Sequence, residues 1–209
     1  MRSLRLGLAL AVLAGAAGCS LPGTGDPPQL YTLTPKSTFD ASLPRVEWQL
    51  VVERPVAAAG INTQRIAYQR SPVTLDYFAR ASWTDLAPAL VQTLLIESFE
   101  NTGRIRAVSR ESTQLRPDYI LQTELREFQA ENDASGRQPI ARVRLNGKLI
   151  RMPDRTIVGN RTVSRTATSA RSDIEGIVLA FDEALGGVMK EMVEWALRAP
   201  GTTDRPTRN

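Results

Sequence analysis

Histidine is absent from the 209 residues, and cysteine occurs once, at position 19. Without histidine the chain lacks the commonest general base and the commonest transition-metal ligand. Ser-His-Asp and Cys-His nucleophilic chemistry are excluded, as are zinc sites built on His or Cys. A single thiol forms no internal disulfide, so the fold holds by packing even in an oxidising compartment. No GxxxxGK[ST] phosphate loop follows a strand-like run. A carboxylate pair of the glycosidase kind would need two facing acids. Asp118 and Glu124 sit in strand-like runs at ordinary spacing and show no such pairing. These absences point away from an enzyme, and no cofactor is called for. There is also no apolar run of the roughly 20 residues needed to span a bilayer as a helix.

What is present at the N-terminus gives the lone cysteine a role. Arg2 and Arg5 make a positive start, Leu6 to Ala17 is apolar and uncharged, and Ala16-Ala17-Gly18 leads to Cys19. A cationic start, a short apolar core and a small-residue exit form a secretory signal peptide. Ala-Ala-Gly-Cys resembles a bacterial lipobox, with Ala16 where Leu is commoner. The resemblance implies cleavage between Gly18 and Cys19, with S-diacylglycerol and N-palmitoyl chains on Cys19. An ordinary signal peptide with an incidental cysteine is the other reading. Two or more acyl chains anchor a protein stably without a transmembrane helix, at about 0.8 kcal/mol per buried CH₂. Ser20, where Asp would favour inner-membrane retention, implies the periplasmic face of the outer membrane, with the inner membrane the alternative.

Removing residues 1–18 leaves 209 − 18 = 191 residues and takes away Arg2 and Arg5, so the net charge falls from +4 to +2. Such a balance argues against nucleic acid, whose binders need a concentrated basic face. Residues 19–29, with Pro22, Gly23, Gly25, Pro27 and Pro28, read as an acylated flexible tether, 30–198 as one domain, and 199–209 as a disordered tail.

Within the domain the hydrophobic period sets the elements. Strand-like runs cover 30–34, 46–53, 65–69, 73–80 and 104–109, and longer ones 118–130, 139–151 and 155–168. Ser71-Pro72 suggests a tight hairpin. Val73, Leu75 and Tyr77 share one face of their strand, with Phe78 on the other. In 139–151, Ala141, Val143, Leu145 and Leu149 alternate with Arg142, Arg144, Asn146 and Lys148, giving one buried and one wet face. Leu86, Leu90, Val91, Leu94, Leu95 and Phe99 recur at helical spacing, predicting a helix over 85–101 capped by Thr84 or Asp85 and stopped at Asn101-Thr102-Gly103. A second helix starts at a Ser172/Glu175 capping box and runs to about Arg198. Gly186-Gly187 within it predicts close packing on the sheet, with a hinge the alternative. The expected architecture is α+β, a twisted, mainly antiparallel sheet packed by two long amphipathic helices. Trp83, with Tyr77 and Phe78 before it, is either a partner or lipid contact or an aromatic packed over the helix start.

The ordered set of pieces carries a family resemblance. LYTLTP (30–35), RIAYQRSPVTLDYFARASWTDLAPALVQTLL (65–95), DYILQTELREFQAE (118–131) and AFDEALGGVMKEMVEW (180–195) resemble the corresponding stretches of the ABC-type transport auxiliary lipoproteins. That resemblance implies a non-catalytic part in a transport system, beside an MCE-domain substrate-binding subunit, a permease and a cytoplasmic ATPase. Such systems move lipids or other hydrophobic compounds between the two membranes and support envelope integrity. A homo-oligomer is compatible with the sequence. Two other classes fit the composition: a lipoprotein adaptor for a secretin or cell-wall synthase, and a lipid carrier with its own cavity.

Overall fold

The computed structural model describes residues 27–113, 116–133, 136 and 138–199. Cys19, Gly18, the signal segment 1–18, most of the tether and the tail from 200 lie outside them.

The spine of the domain is an antiparallel ribbon of three long strands. β7 (Tyr119–Asn132) pairs along its length with β8 (Pro139–Arg151), which pairs with β9 (Thr156–Thr168). The alternation in β8 does what its sequence demands. Ala141, Val143, Leu145 and Leu149 are fully buried. Arg142 and Arg144 turn to the other face and pair across the ladder with Glu131 and Glu127. The Glu131 hydrogen bond raises the pKa of Arg142. The ribbon's lower turn, 152–155, is closed by Arg151 and Asp154 at 2.7 Å, with Thr156 donating to the same carboxylate. Those two bonds hold Asp154 down to a pKa of about 2.

The other edge of β7 corrects the expected topology. Three short strands share it in succession, all parallel: β2 (Val46–Val52) at its start, β3 (Val56–Ala57) in the middle and β4 (Arg65–Ser71) at its end. β6 (Ile105–Arg110) adds to β2 in parallel, β5 (Thr74–Trp83) adds to β4 antiparallel, and β1 (Gln29–Tyr31) adds to β5 in parallel. Five of the eight pairings among the described residues are parallel. The sheet is therefore mixed and curled, not mainly antiparallel. The β2–β6 pairing follows from its connection, which passes through a hairpin and a helix and so brings the chain back in the same direction. β5 also outruns the expected end at 80 and continues to Trp83.

Two helices cover the inner face. α1 (Ala87–Asn101) packs by Leu90, Val91, Leu94, Leu95 and Phe99. Its cap position is Leu86, with no side-chain cap, rather than Thr84 or Asp85. The free amides are accounted for otherwise: Ala87 N–H donates to the Thr63 carbonyl at 3.1 Å, and Pro88 has no N–H to satisfy. Its stop is as expected, with Gly103 at φ +59° donating to Glu100. α2 (Ile174–Arg198) buries the long stripe from Ile177 to Ala196. Its cap is Asp173, one residue later than the Ser172 box, and Asp173 Oδ1 accepts from Gly176 N–H at 2.8 Å. Glu175 pairs with Arg171 instead of reaching back. Gly187 meets the stem of Arg165 on β9 as close packing requires, while Gly186 faces open space beside Lys36.

Between β1 and β2, residues 32–45 form a strap across the two helices. Its backbone is satisfied by helix side chains. Thr34 N–H donates to Asp182, Lys36 N–H to Ser98 Oγ and Asp40 N–H to Glu194. Arg198 returns the contact by donating to Asp40 Oδ2 at 2.6 Å. Leu33 and Leu43 pin the strap into the core.

Candidate functional site

The three aromatics singled out near the β5–α1 junction part company in the structure. Trp83 is 1% exposed and belongs to the core. Its ring lies 5.2 Å from Phe181 of α2, edge-on, and 5.5 Å from Phe128 of β7, while Phe128 and Phe181 are 5.0 Å apart. This triad locks α2 onto the sheet where β5 turns toward α1, and it takes Trp83 away from any surface contact. Trp48 is likewise buried, edge-on to Tyr119.

Tyr77 and Phe78 remain half-exposed on opposite faces of β5. Phe78 leans on Tyr68 of β4 at 5.5 Å. Tyr77 is clamped more tightly. Arg65 stacks its guanidinium 3.8 Å over the ring, and the hydroxyl donates to the Gly60 carbonyl at 3.1 Å. Leu75, on the same face, presses against Gly60 so closely that a Cβ there would fall 2.8 Å from its Cδ2. The shared face read from Leu75 and Tyr77 is thus real, and what it packs against is the turn 58–61.

Beyond Leu75 the β4–β5 hairpin stands clear of the domain. Its turn is closed by Ser71 Oγ and Thr74 Oγ1 at 3.0 Å, and Val73 at its tip is 94% exposed. Pro72, Val73 and Leu75 form one wall of a groove whose floor is Ala58, Gly60 and Ile61 and whose far side carries Arg126 and Arg144. A wider cleft separates this hairpin from the β7–β8 turn and is lined by Arg70, Glu127, Glu131 and Asp133. Sequence reasoning located the turn but missed the tip. The signal was a valine placed at a turn rather than at a strand's inward position.

At the opposite end of the inner face, Trp195 covers Gly159 of β9, and Glu191 bridges Arg161, at 2.6 Å, and Arg165. These charges flank a shallow hollow with Glu194 and Arg198. Among the described residues no group of three or more His, Cys, Asp or Glu side chains converges to hold a metal. No described helix is long and apolar enough to cross a membrane.

The domain, a mixed sheet with two covering helices, matches a known family over residues 30–193, the ABC-type transport auxiliary lipoprotein component. The chain belongs to that family. A crystal structure of a Xanthomonas campestris protein of the DUF330 family superposes with a TM-score of 0.76 at 32% identity, covering 81% of this chain and 94% of that one. A second solved protein, uncharacterised, shares the fold with a TM-score of 0.63 at 12% identity, covering 80% of this chain and 97% of that one. An uncharacterised protein of Bradyrhizobium diazoefficiens is 30% identical over 193 residues, which is 90% of this chain and 50% of that protein. The chain therefore spans about half the length of this curated relative. The family is described as an auxiliary component of ABC-type transport.

Proposed function

We propose that the protein is a lipoprotein anchored to the periplasmic face of the outer membrane, serving an MCE-type ABC system that moves lipids or hydrophobic compounds across the envelope. The observation that carries this reading is the conjunction of Ala-Ala-Gly-Cys at 16–19 with the family match over 30–193. In this reading Cys19 bears the diacylglycerol and palmitoyl chains and residues 19–29 form the tether. The folded domain docks the MCE-domain subunit, and the permease and ATPase supply the energy. The protein's contribution is concentration: a tethered module meets its partner at an effective concentration set by the linker rather than by diffusion through the periplasm. Ser20 supports the outer membrane.

The test is purification of the affinity-tagged protein from mildly solubilised envelopes, beside Cys19→Ala. The wild type is expected to incorporate labelled palmitate, float with outer-membrane vesicles and bring down an MCE-domain protein with its permease and ATPase. Cys19→Ala is expected to remain folded, lose the label and fail to support envelope integrity. Recovery of a secretin or a cell-wall synthase would replace the transport partner, and full function of exported Cys19→Ala would remove the need for the tether.

A further inference from the structure

Among the described residues, the most exposed large apolar side chain sits at the tip of the β4–β5 hairpin, on a braced support. Val73 is 94% exposed, more than any other large apolar residue described, and Leu75 behind it is 39% exposed. The tip is braced by the Ser71–Thr74 contact, by Leu75 on Gly60 and by the Tyr77 hydroxyl on the Gly60 carbonyl. Arg70, with its side chain 70% exposed, stands beside it and pairs with Asp76. One exposed valine on a surface is ordinary, so exposure alone selects no partner. The direction of the chain does.

β1 runs parallel to β5, with Gln29 beside Ala81 and Tyr31 beside Trp83. The chain therefore arrives at Gln29 from the side of the sheet on which the hairpin tip lies. From Thr74 to Ala81 is seven positions along β5, about 23 Å at a strand's rise. From Cys19 to Gln29 is ten positions, which reach about 33–36 Å when extended. A chain fixed to a bilayer at Cys19 is thus long enough for the Pro72-Val73 tip to touch that bilayer and short enough to keep it within reach.

We propose that the tip of the β4–β5 hairpin, Pro72-Val73 with Leu75 behind it, seats in the interfacial layer of the bilayer to which Cys19 is anchored, with Arg70 at headgroup level. The inference rests on the acylation of Cys19. So small an apolar tip does not bind a membrane alone. It acts because the anchor holds it at the surface, where two weak attachments combine. The consequence is orientation: two points of contact set which way the sheet faces, and they leave the β8–β9 turn and the C-terminal end of α2 pointing away from the lipid, toward a periplasmic partner.

Depth-dependent quenching tests this on the acylated, full mature protein. Acylation consumes the Cys19 sulfur, so Val73→Cys supplies the only reactive thiol for an NBD label. Ile157→Cys, also an exposed apolar position but beside the β8–β9 turn, is the control. In vesicles of phosphatidylethanolamine and phosphatidylglycerol, the label at 73 is expected to shift to the blue and to be quenched by lipids brominated near the headgroup several-fold more than the label at 157. Equal or absent quenching of both labels on vesicle-bound protein overturns the seating while leaving the anchor intact. Stronger quenching at 157 reverses the orientation and overturns it too. Protein that does not float with the vesicles overturns the anchor and this inference together. A label at 73 already blue-shifted in detergent-free protein without lipid, with energy transfer between copies, assigns the tip to a second copy instead.

Discussion

Gly147 shows how much of this fold depends on single atoms. It lies on the inner face of β8, where α2 crosses, and a Cβ there would fall 2.6 Å from the Met192 sulfur, 3.1 Å from its methyl and 3.4 Å from Leu121. Met192 is fully buried and has little room to yield. Gly147→Ala is therefore expected to cost about 1–3 kcal/mol by overpacking. Met192→Ala alone should cost about 2–5 kcal/mol through the cavity it leaves. Combined, the two changes should destabilise by less than their sum, because the new methyl fills part of that cavity, with a coupling of about 0.5–3 kcal/mol. Urea unfolding of the four proteins measures this, and strict additivity would show that the methionine does not set the limit. The same scale explains the fate of the predicted aromatics. Trp83, Tyr77 and Phe78 look alike in the sequence, three large rings before a helix. Only the distant partners Phe128 and Phe181 put Trp83 in the core and leave the other two at its margin.

At the scale of the element, what was legible was what is local. Both helices and the alternation of β8 follow from the period of apolar residues, which each segment carries within itself. Caps were legible only to within a residue or two, since Ser172 and Asp173 are equally good capping types and the backbone turn decides between them. The structure's choice can be checked. Asp173→Ala should cost about 1 kcal/mol, Asp173→Asn should retain most of the cap, and Ser172→Ala should stay within about 0.5 kcal/mol of wild type. Thermal unfolding of the three variants reads the order, and a larger loss at Ser172 would restore the box. The parallel pairing of β2, β3 and β4 along one edge of β7 was not legible. Nothing within a five- to seven-residue strand records which edge it will meet or in which direction. The two-residue β3, just after Pro55, is too short to show any period at all.

At the scale of the whole molecule, the strap at 32–45 is the least predictable segment and the one with most bearing on function. Residues 36–44 of it carry no period, while 32–34 belonged to the strand expected over 30–34, which in the structure ends at Tyr31. Its order comes from side chains more than sixty residues away: Ser98 and Asn101 of α1 hold Lys36 at its amide and carbonyl, and Asp182 and Glu194 of α2 take the amides of Thr34 and Asp40. Asp40 is in turn held below the usual carboxylate range, chiefly by the Ser42 N–H and also by Arg198. The strap joins β1, the described strand nearest position 19 in the chain, to both helices. In the proposed anchored reading, a pull on Cys19 would enter the domain through β1 and would first meet α2 at Thr34. There Asp182 accepts from the Thr34 N–H at 2.6 Å and from its hydroxyl at 3.0 Å. Asp182→Ala removes both bonds at a partly exposed site and is expected to cost about 1 kcal/mol. More specifically, it should speed amide exchange over residues 33–36 while leaving β7 and β8, which share no bond with Asp182, at wild-type protection. Hydrogen exchange read by mass spectrometry on the folded protein decides it. Unchanged exchange in the strap would mean that Leu33 and Leu43 hold it by burial alone, and that the carboxylate of α2 is not the point at which tether and domain are joined.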